Sequence, residues 1–315
     1  MVPAASAQAR RPRVNPVLLV LVAIVSVQTG SSFAKLLFDQ TSPYGVTLLR
    51  AVFATLVLLA IAPPRLRGRT RADWGYVVAY GLCLAGMNLL FYLSIARIPI
   101  GLAVTLEFIG PLLLAVRGAK RAVEFGWVLL AAGGVALLGA FPAEADLLGM
   151  ALAVGAGAFW AAYIVLAGPV GVRWSGATGV TVASGAGALA LVVPGLALSG
   201  PELLSWRVLG LGLVVALLAT VIPYGLEMFA RRSIRSHTFS ILMSLEPGAA
   251  ALLAFLIVGE LLGWQEWLAM LCVVAASIGA TWSSSTRRGA TRTRTAPSAA
   301  QLGVEQSRTL SKEKR

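Results

Sequence analysis

Apolar positions along this chain fall into long, nearly uninterrupted blocks separated by short polar loops. Ten blocks of roughly 20 apolar residues can be read, at approximately 16–38, 43–62, 72–95, 99–117, 122–141, 146–170, 176–198, 207–230, 237–258 and 264–283. As helices, segments of that length cross a hydrocarbon core of about 30 Å. The pattern predicts an all-α membrane protein with ten transmembrane helices. The first block is too long, and too plainly followed by nine more, for a cleaved signal peptide.

Charge adds the orientation. Nearly every Lys or Arg outside the blocks falls on alternate loops. One set carries Arg65, Arg67, Arg69 and Arg71; Arg117, Lys120 and Arg121; Arg173; and Arg231, Arg232 and Arg235. The opposite set carries only Arg97 and Arg207, together with Asp39, Glu144, Asp146, Glu202, Glu260 and Glu266. By the positive-inside rule the first set is cytoplasmic, and so are both termini. Residues 1–15 are then a basic cytoplasmic N-terminus and 284–315 a basic, Ser/Thr-rich cytoplasmic tail, too poor in apolar residues to fold and expected to be disordered. That tail suits anionic lipid headgroups.

Composition agrees with a membrane solvent: 58% of residues are hydrophobic, 12% are charged and the mean hydropathy is +0.82. The net charge of +13 does not indicate nucleic-acid binding, because it is spread over loops and tails rather than one soluble face. Cys83 and Cys272 lie inside blocks without CxxC or His/Cys ligand spacing and read as small buried hydrophobes. His237 reads as a solvated interfacial residue. No metal and no cofactor are expected.

Shifting the chain by 139 residues lays Gly86–Glu107 on Gly225–Glu246 without a gap, and eight identities fall over the 36 positions from Gly86, the last three where Leu113–Leu114–Ala115 meets Leu252–Leu253–Ala254. Ser94–Ile95 meets Ser233–Ile234, and Leu106–Glu107 meets Leu245–Glu246. Each unit then holds five helices, 16–141 and 146–283. An odd number makes the two units enter the membrane from opposite sides. Inverted five-helix repeats place a site at their interface near the midplane and allow alternating access. The expected fold class is therefore two inverted five-helix repeats, the architecture of a carrier.

Ionisable groups within such helices are costly and need a reason to be there. Glu107 and Glu246 lie near the middle of the fourth and ninth blocks. Pro111 removes the hydrogen bond to the carbonyl of Glu107, and Pro247 removes the one to Met243. Freed carbonyls beside a carboxyl group make a polar pocket for a cation, an ammonium group or a proton. The alternative is a protonated glutamate bonding a neighbouring helix. Glu227 lies nearer the cytoplasmic end, where an ion pair with Arg231 one turn later is the competing reading. Its repeat partner is Asn88, and Tyr92 shares that face.

In the first block Gln28, Ser31, Ser32 and Lys35 recur at helical spacing and form a polar stripe that must face a partner helix or a cavity. Lys35, a turn from the outer end, either joins the site or snorkels outward. Arg50 is too deep to reach water and is expected to pair structurally with a carboxylate or with backbone carbonyls. Trp160 and Tyr163, following Gly155 and Gly157, line a cavity or form a packed face. Gln28, Ser31, Lys35, Asn88, Glu107, Trp160, Glu227 and Glu246 are expected to project into one central cavity.

The segments SVQTGSSFAKLLF (Ser26–Phe38), GMNLLFYLSIARIPIGLAVTLEFIGPL (Gly86–Leu112), LAVGAGAFWAAYI (Leu152–Ile164) and IPYGLEMFARRSIRSHTFSILMSLEPGAAAL (Ile222–Leu252) resemble the EamA-type carriers of the drug/metabolite transporter superfamily. Within it they resemble the branch of bacterial inner-membrane threonine and homoserine exporters. The likeness runs over about 15–285 and is weakest in the seventh block. It implies a ten-helix exporter of small amino acids in the cell inner membrane, working by proton exchange. Its partners would be a small zwitterionic substrate, protons and the lipid bilayer, with a homodimer left open. The generic Trp-Gly pair of the first helix is replaced here by Gln28-Thr29-Gly30. Carriers of multiply anionic substrates would need more basic groups than Lys35 and Arg50 supply against three glutamates. Export of another metabolite or drug is the rival within the class. An intramembrane enzyme is disfavoured by the lack of HExxH, paired aspartates or an Asp-rich diphosphate motif. A channel is disfavoured by the lack of an oligomeric pore motif.

Overall fold

A computed structural model describes residues 15–117, 122–139, 146–174, 177–231, 233–234 and 236–295. Among these the regular structure is helical throughout, with no strand. Helices α1 (Pro16–Leu37) and α2 (Pro43–Ile61) begin alike: Asn15 and Ser42 accept first-turn N–H groups, and proline follows where its missing N–H is no loss. α3 (Arg71–Ile95) opens with a capping box between Thr70 and Asp73. α4 (Ile100–Glu107), α5 (Ile109–Val116) and α6 (Ala122–Gly139) complete the first half. The second half runs through α7 (Leu147–Arg173), α8 (Thr178–Ala197), α9 (Trp206–Ala216), a π-helical turn at Leu217–Val221, α10 (Ile222–Arg231), α11 (Ser236–Met243), α12 (Glu246–Val258) and α13 (Trp264–Thr295).

Seven stretches are long and apolar enough to cross a membrane: α1, α2, α3, α7, α8, Trp206–Arg231 and Thr238–Val258. Two shorter apolar helices, Ile100–Leu114 and Phe125–Ala136, stand where the fourth and fifth blocks were expected. The tenth block lies in α13, which continues as helix to Thr295 instead of stopping at 283. No proline interrupts it before Pro297, and extending an existing helix costs little compared with starting one. The rest of the tail, the basic N-terminus before residue 15 and the side chain of His237 lie outside the described residues.

Three of the expected blocks are interrupted helices, and proline explains each interruption. α4 ends at Glu107 and α11 ends at Met243, the two residues whose carbonyls Pro111 and Pro247 leave without a donor. Pro223 likewise leaves the carbonyl of Ala219 free, inside the π-helical turn that joins α9 to α10.

The two halves interdigitate. α1 packs against α10, α12 and the π-helical turn; α2 against α8 and α9; α3 against α7 and α8; α4 against α7 and α12; and α6 against α13. Small residues permit the closest approaches. A Cβ on Gly30 would stand 2.8 Å from the backbone nitrogen of Ala219, and one on Gly157 would strike the carbonyl oxygen of Glu107. Large apolar side chains such as Leu56, Leu129, Leu189, Val193 and Leu256 point outward. So much exposed apolar surface suits lipid rather than water.

Candidate functional site

The polar stripe of α1 is buried. Gln28, Ser31 and Ser32 are each at most 2% exposed, while Leu18, Val22 and Val25 point outward. Ser31 and Ser32 donate back to the carbonyls of Val27 and Gln28, closing their own hydroxyls within the helix. Gln28 instead reaches across to the other half, where its Nε2 donates to Glu246 Oε1 at 3.1 Å.

Glu246 is the first residue of α12, at the break that follows α11. A helix N-terminus presents free N–H groups and a positive partial charge, a good place for a carboxyl group. The second carboxyl oxygen, Oε2, is buried without a hydrogen-bond partner, and so is Oε1 of Gln28. Two buried acceptors are thus left open, and a proton or an ammonium group is what each can take. Glu107 ends α4, and its carboxyl group is buried within electrostatic reach of Glu246 and Arg50. Its freed carbonyl rests on the Cα of Gly157 in α7.

Arg50 sits between the halves. Its Nε donates to Thr220 Oγ1 at 2.9 Å, Nη1 to Tyr92 OH at 3.1 Å and Nη2 to the Ala219 carbonyl at 2.8 Å. The sequence expectation of carboxylate or carbonyl partners resolves to the carbonyl released by Pro223, with two hydroxyls beside it. Ser26 takes the neighbouring carbonyl of Leu218 at 2.7 Å. Tyr92 is fully buried and also packs edge-on against Phe38. Asn88 donates to the Leu84 carbonyl and lines a pocket with Arg50.

The remaining expected site residues lie elsewhere. Lys35 forms an ion pair with Glu260 and donates to the Ile98 carbonyl at 3.1 Å, while Glu260 Oε2 accepts from the Ile100 N–H at 2.8 Å. This ties the end of α1 to the α3–α4 and α12–α13 connections, apart from the central glutamates. Glu227 pairs with Arg231 at 3.3 Å, the local ion pair weighed from the sequence. Trp160 packs edge-on against Phe108 at the α4–α5 break, and Tyr163 stacks on Tyr80. The eight expected residues therefore divide among a central group, an ion pair at each end and an aromatic wall.

Sequence reasoning missed Glu260, Ser184, Thr220 and the free Ala219 carbonyl. Only the last had a readable signal, because Pro223 frees it by the rule already applied to Pro111 and Pro247.

Two buried glutamates thus stand at helix breaks, with a buried arginine on the uninterrupted α2 within electrostatic reach of Glu107. The chain matches the EamA-like transporter family over residues 15–142 and 147–282. It is 43% identical to the threonine/homoserine exporter RhtA of Salmonella typhimurium strain LT2 over 269 residues, covering 84% of this chain and 91% of that protein. It is 42% identical to the exporter of the same name from Escherichia coli strain K12, with the same coverage. One solved crystal structure superposes on 86% of this chain and 98% of its own, with a TM-score of 0.57 at 17% identity, a likeness of fold alone. Matched by one family across both of its halves, and sharing more than two-fifths of its residues with two exporters over most of its length, the chain belongs to the EamA-like transporter family and is a multi-pass membrane protein.

Proposed function

We propose that this protein is a secondary active exporter of small zwitterionic amino acids of the threonine and homoserine type. It works in the cytoplasmic membrane by proton antiport. The observation that carries this reading is the buried group of Gln28, Glu107 and Glu246, in which two acceptor oxygens have no partner. The threonine and homoserine exporters to which the chain is 42–43% identical support the substrate class. Transport rather than catalysis is the role.

The architecture we propose is ten membrane-crossing helices in two inverted repeats of five, 16–141 and 146–283, with both termini cytoplasmic. α4–α5, α9–α10 and α11–α12 each count as one interrupted crossing. Supporting it are the paired helix breaks beside Glu107 and Glu246 and the charge asymmetry of the loops. A reporter fused after Arg67 is expected to read the cytoplasm, and one fused after Ala143 the outside; the reverse result overturns the orientation.

The transport reading is tested by loading cells with threonine and following its exit. Expression of the chain is expected to give saturable efflux of threonine and homoserine that a protonophore abolishes. Efflux no faster than from cells carrying an empty vector, across a panel of amino acids, metabolites and drugs, would sink it.

A further inference from the structure

Arg50 carries a buried charge that forms no ion pair among the described residues. It is 8% exposed, and among the described residues no carboxylate lies within 4.0 Å of its guanidinium. Its three hydrogen bonds go to the hydroxyls of Thr220 and Tyr92 and the carbonyl of Ala219, all neutral. A guanidinium has five N–H donors. Bonds from Nε, Nη1 and Nη2 therefore leave one N–H on each terminal nitrogen to offer to an anion.

Beside Arg50 a pocket opens between α2, α3, α8 and the π-helical turn, with Thr47, Asn88, Ser184 and Thr220 as its other polar lining. Ser184 is 4% exposed, and its hydroxyl has no hydrogen-bond partner. A buried hydroxyl left unpaired is costly, so its place on this wall calls for a ligand. The wall is rigid: α3 and α8 meet backbone to backbone, and a Cβ on Gly187 would stand 2.8 Å from the carbonyl of Gly81.

We infer that this pocket is the subsite for the carboxylate of the transported zwitterion, with Arg50 gripping its two oxygens and Ser184 donating a further hydrogen bond. The inference rests on the exporter reading and adds to it the residues that take the acidic end of the substrate. Arg50 keeps its structural bonds across the halves throughout; the carboxylate uses only the donors those bonds leave free. Glu107 lies within electrostatic reach of both Arg50 and Glu246.

The test is competition against labelled threonine exchange in proteoliposomes, with threonine and threoninamide as unlabelled competitors. For the unchanged protein, threonine is expected to compete at least ~100-fold better than threoninamide, because a polar site rejects an analogue that leaves its donors unpaired. Arg50→Gln should shrink that preference to within about threefold, since what it removes is the cation that distinguishes the two. Ser184→Ala, which removes one hydroxyl and leaves the Arg50 bonds alone, should raise the KM for threonine about fivefold with little change in kcat. If Arg50→Gln does not fold, the Ser184→Ala shift and the preference of the unchanged protein decide the matter. An unchanged preference in Arg50→Gln, or an unchanged KM in Ser184→Ala, overturns the subsite. Absence of threonine exchange by the unchanged protein would instead overturn the exporter reading on which it rests.

Discussion

Glu246→Gln is expected to abolish threonine export and, with it, the tolerance of cells overloaded with the amino acid, while the protein still accumulates in the membrane. Gln matches the volume of Glu, and its side-chain oxygen can still accept from Gln28 Nε2, which is 3.1 Å from Glu246 Oε1. What is lost is the exchangeable proton and the negative charge. The other carboxyl oxygen of Glu246 and the amide oxygen of Gln28 are buried acceptors without partners, so the group is built to receive a hydrogen from outside its own circle. A carboxyl group so placed can hold a proton in one conformation and an ammonium group in the other. Removing it should slow export at least ~100-fold, equivalent to ~2.7 kcal/mol of barrier. Export at the unchanged rate with the same pH dependence would make Glu246 structural and pass the role to Glu107 or Glu227.

The second large effect is predicted at Gly157, where function and packing meet. This glycine lets α7 lie against the α4–α5 break, with its Cα on the carbonyl of Glu107. An alanine there puts a methyl group into that oxygen, and neither backbone can yield without shifting Glu107. We expect Gly157→Ala to destabilise the protein by about 1–3 kcal/mol, the usual cost of overpacking, and to impair export along with it. Gly168→Ala is the control on the same helix. Nothing lies within 4 Å of a Cβ at that position, so the higher helix propensity of alanine should leave stability equal or raise it by up to ~1 kcal/mol. Thermal unfolding of the purified protein in detergent checks both. Equal midpoints for the two variants would show that the α7 contact does not constrain the break.

Much of this was legible in the sequence because it depends on local chemistry. The buried face of α1 followed from the spacing of Gln28, Ser31 and Ser32. The freed carbonyls of Glu107 and Met243 followed from Pro111 and Pro247, since a residue without an N–H releases a particular carbonyl wherever the helix lies; that the helices stop at those residues did not. The pairing of Glu227 with Arg231 was one of two readings open from their spacing. The partners that were not legible are joined only by tertiary packing. Lys35 and Glu260, or Arg50 and Thr220, lie far apart in the chain, and only the interdigitation of the halves brings them together. Ser184 sits in an apolar, glycine-rich helix that holds no ionisable residue to single it out. The α13 boundary was misplaced because a polar composition was read as disorder, while helix propagation needs no apolar face.

The most direct test of proton-coupled export through Glu246 is to reconstitute the purified protein in proteoliposomes carrying a lumenal pH indicator and impose a threonine gradient without a pH gradient. The unchanged protein is expected to move protons against the threonine flux, and Glu246→Gln to move none. Saturable threonine flux that leaves the lumenal pH constant in the unchanged protein would contradict the account.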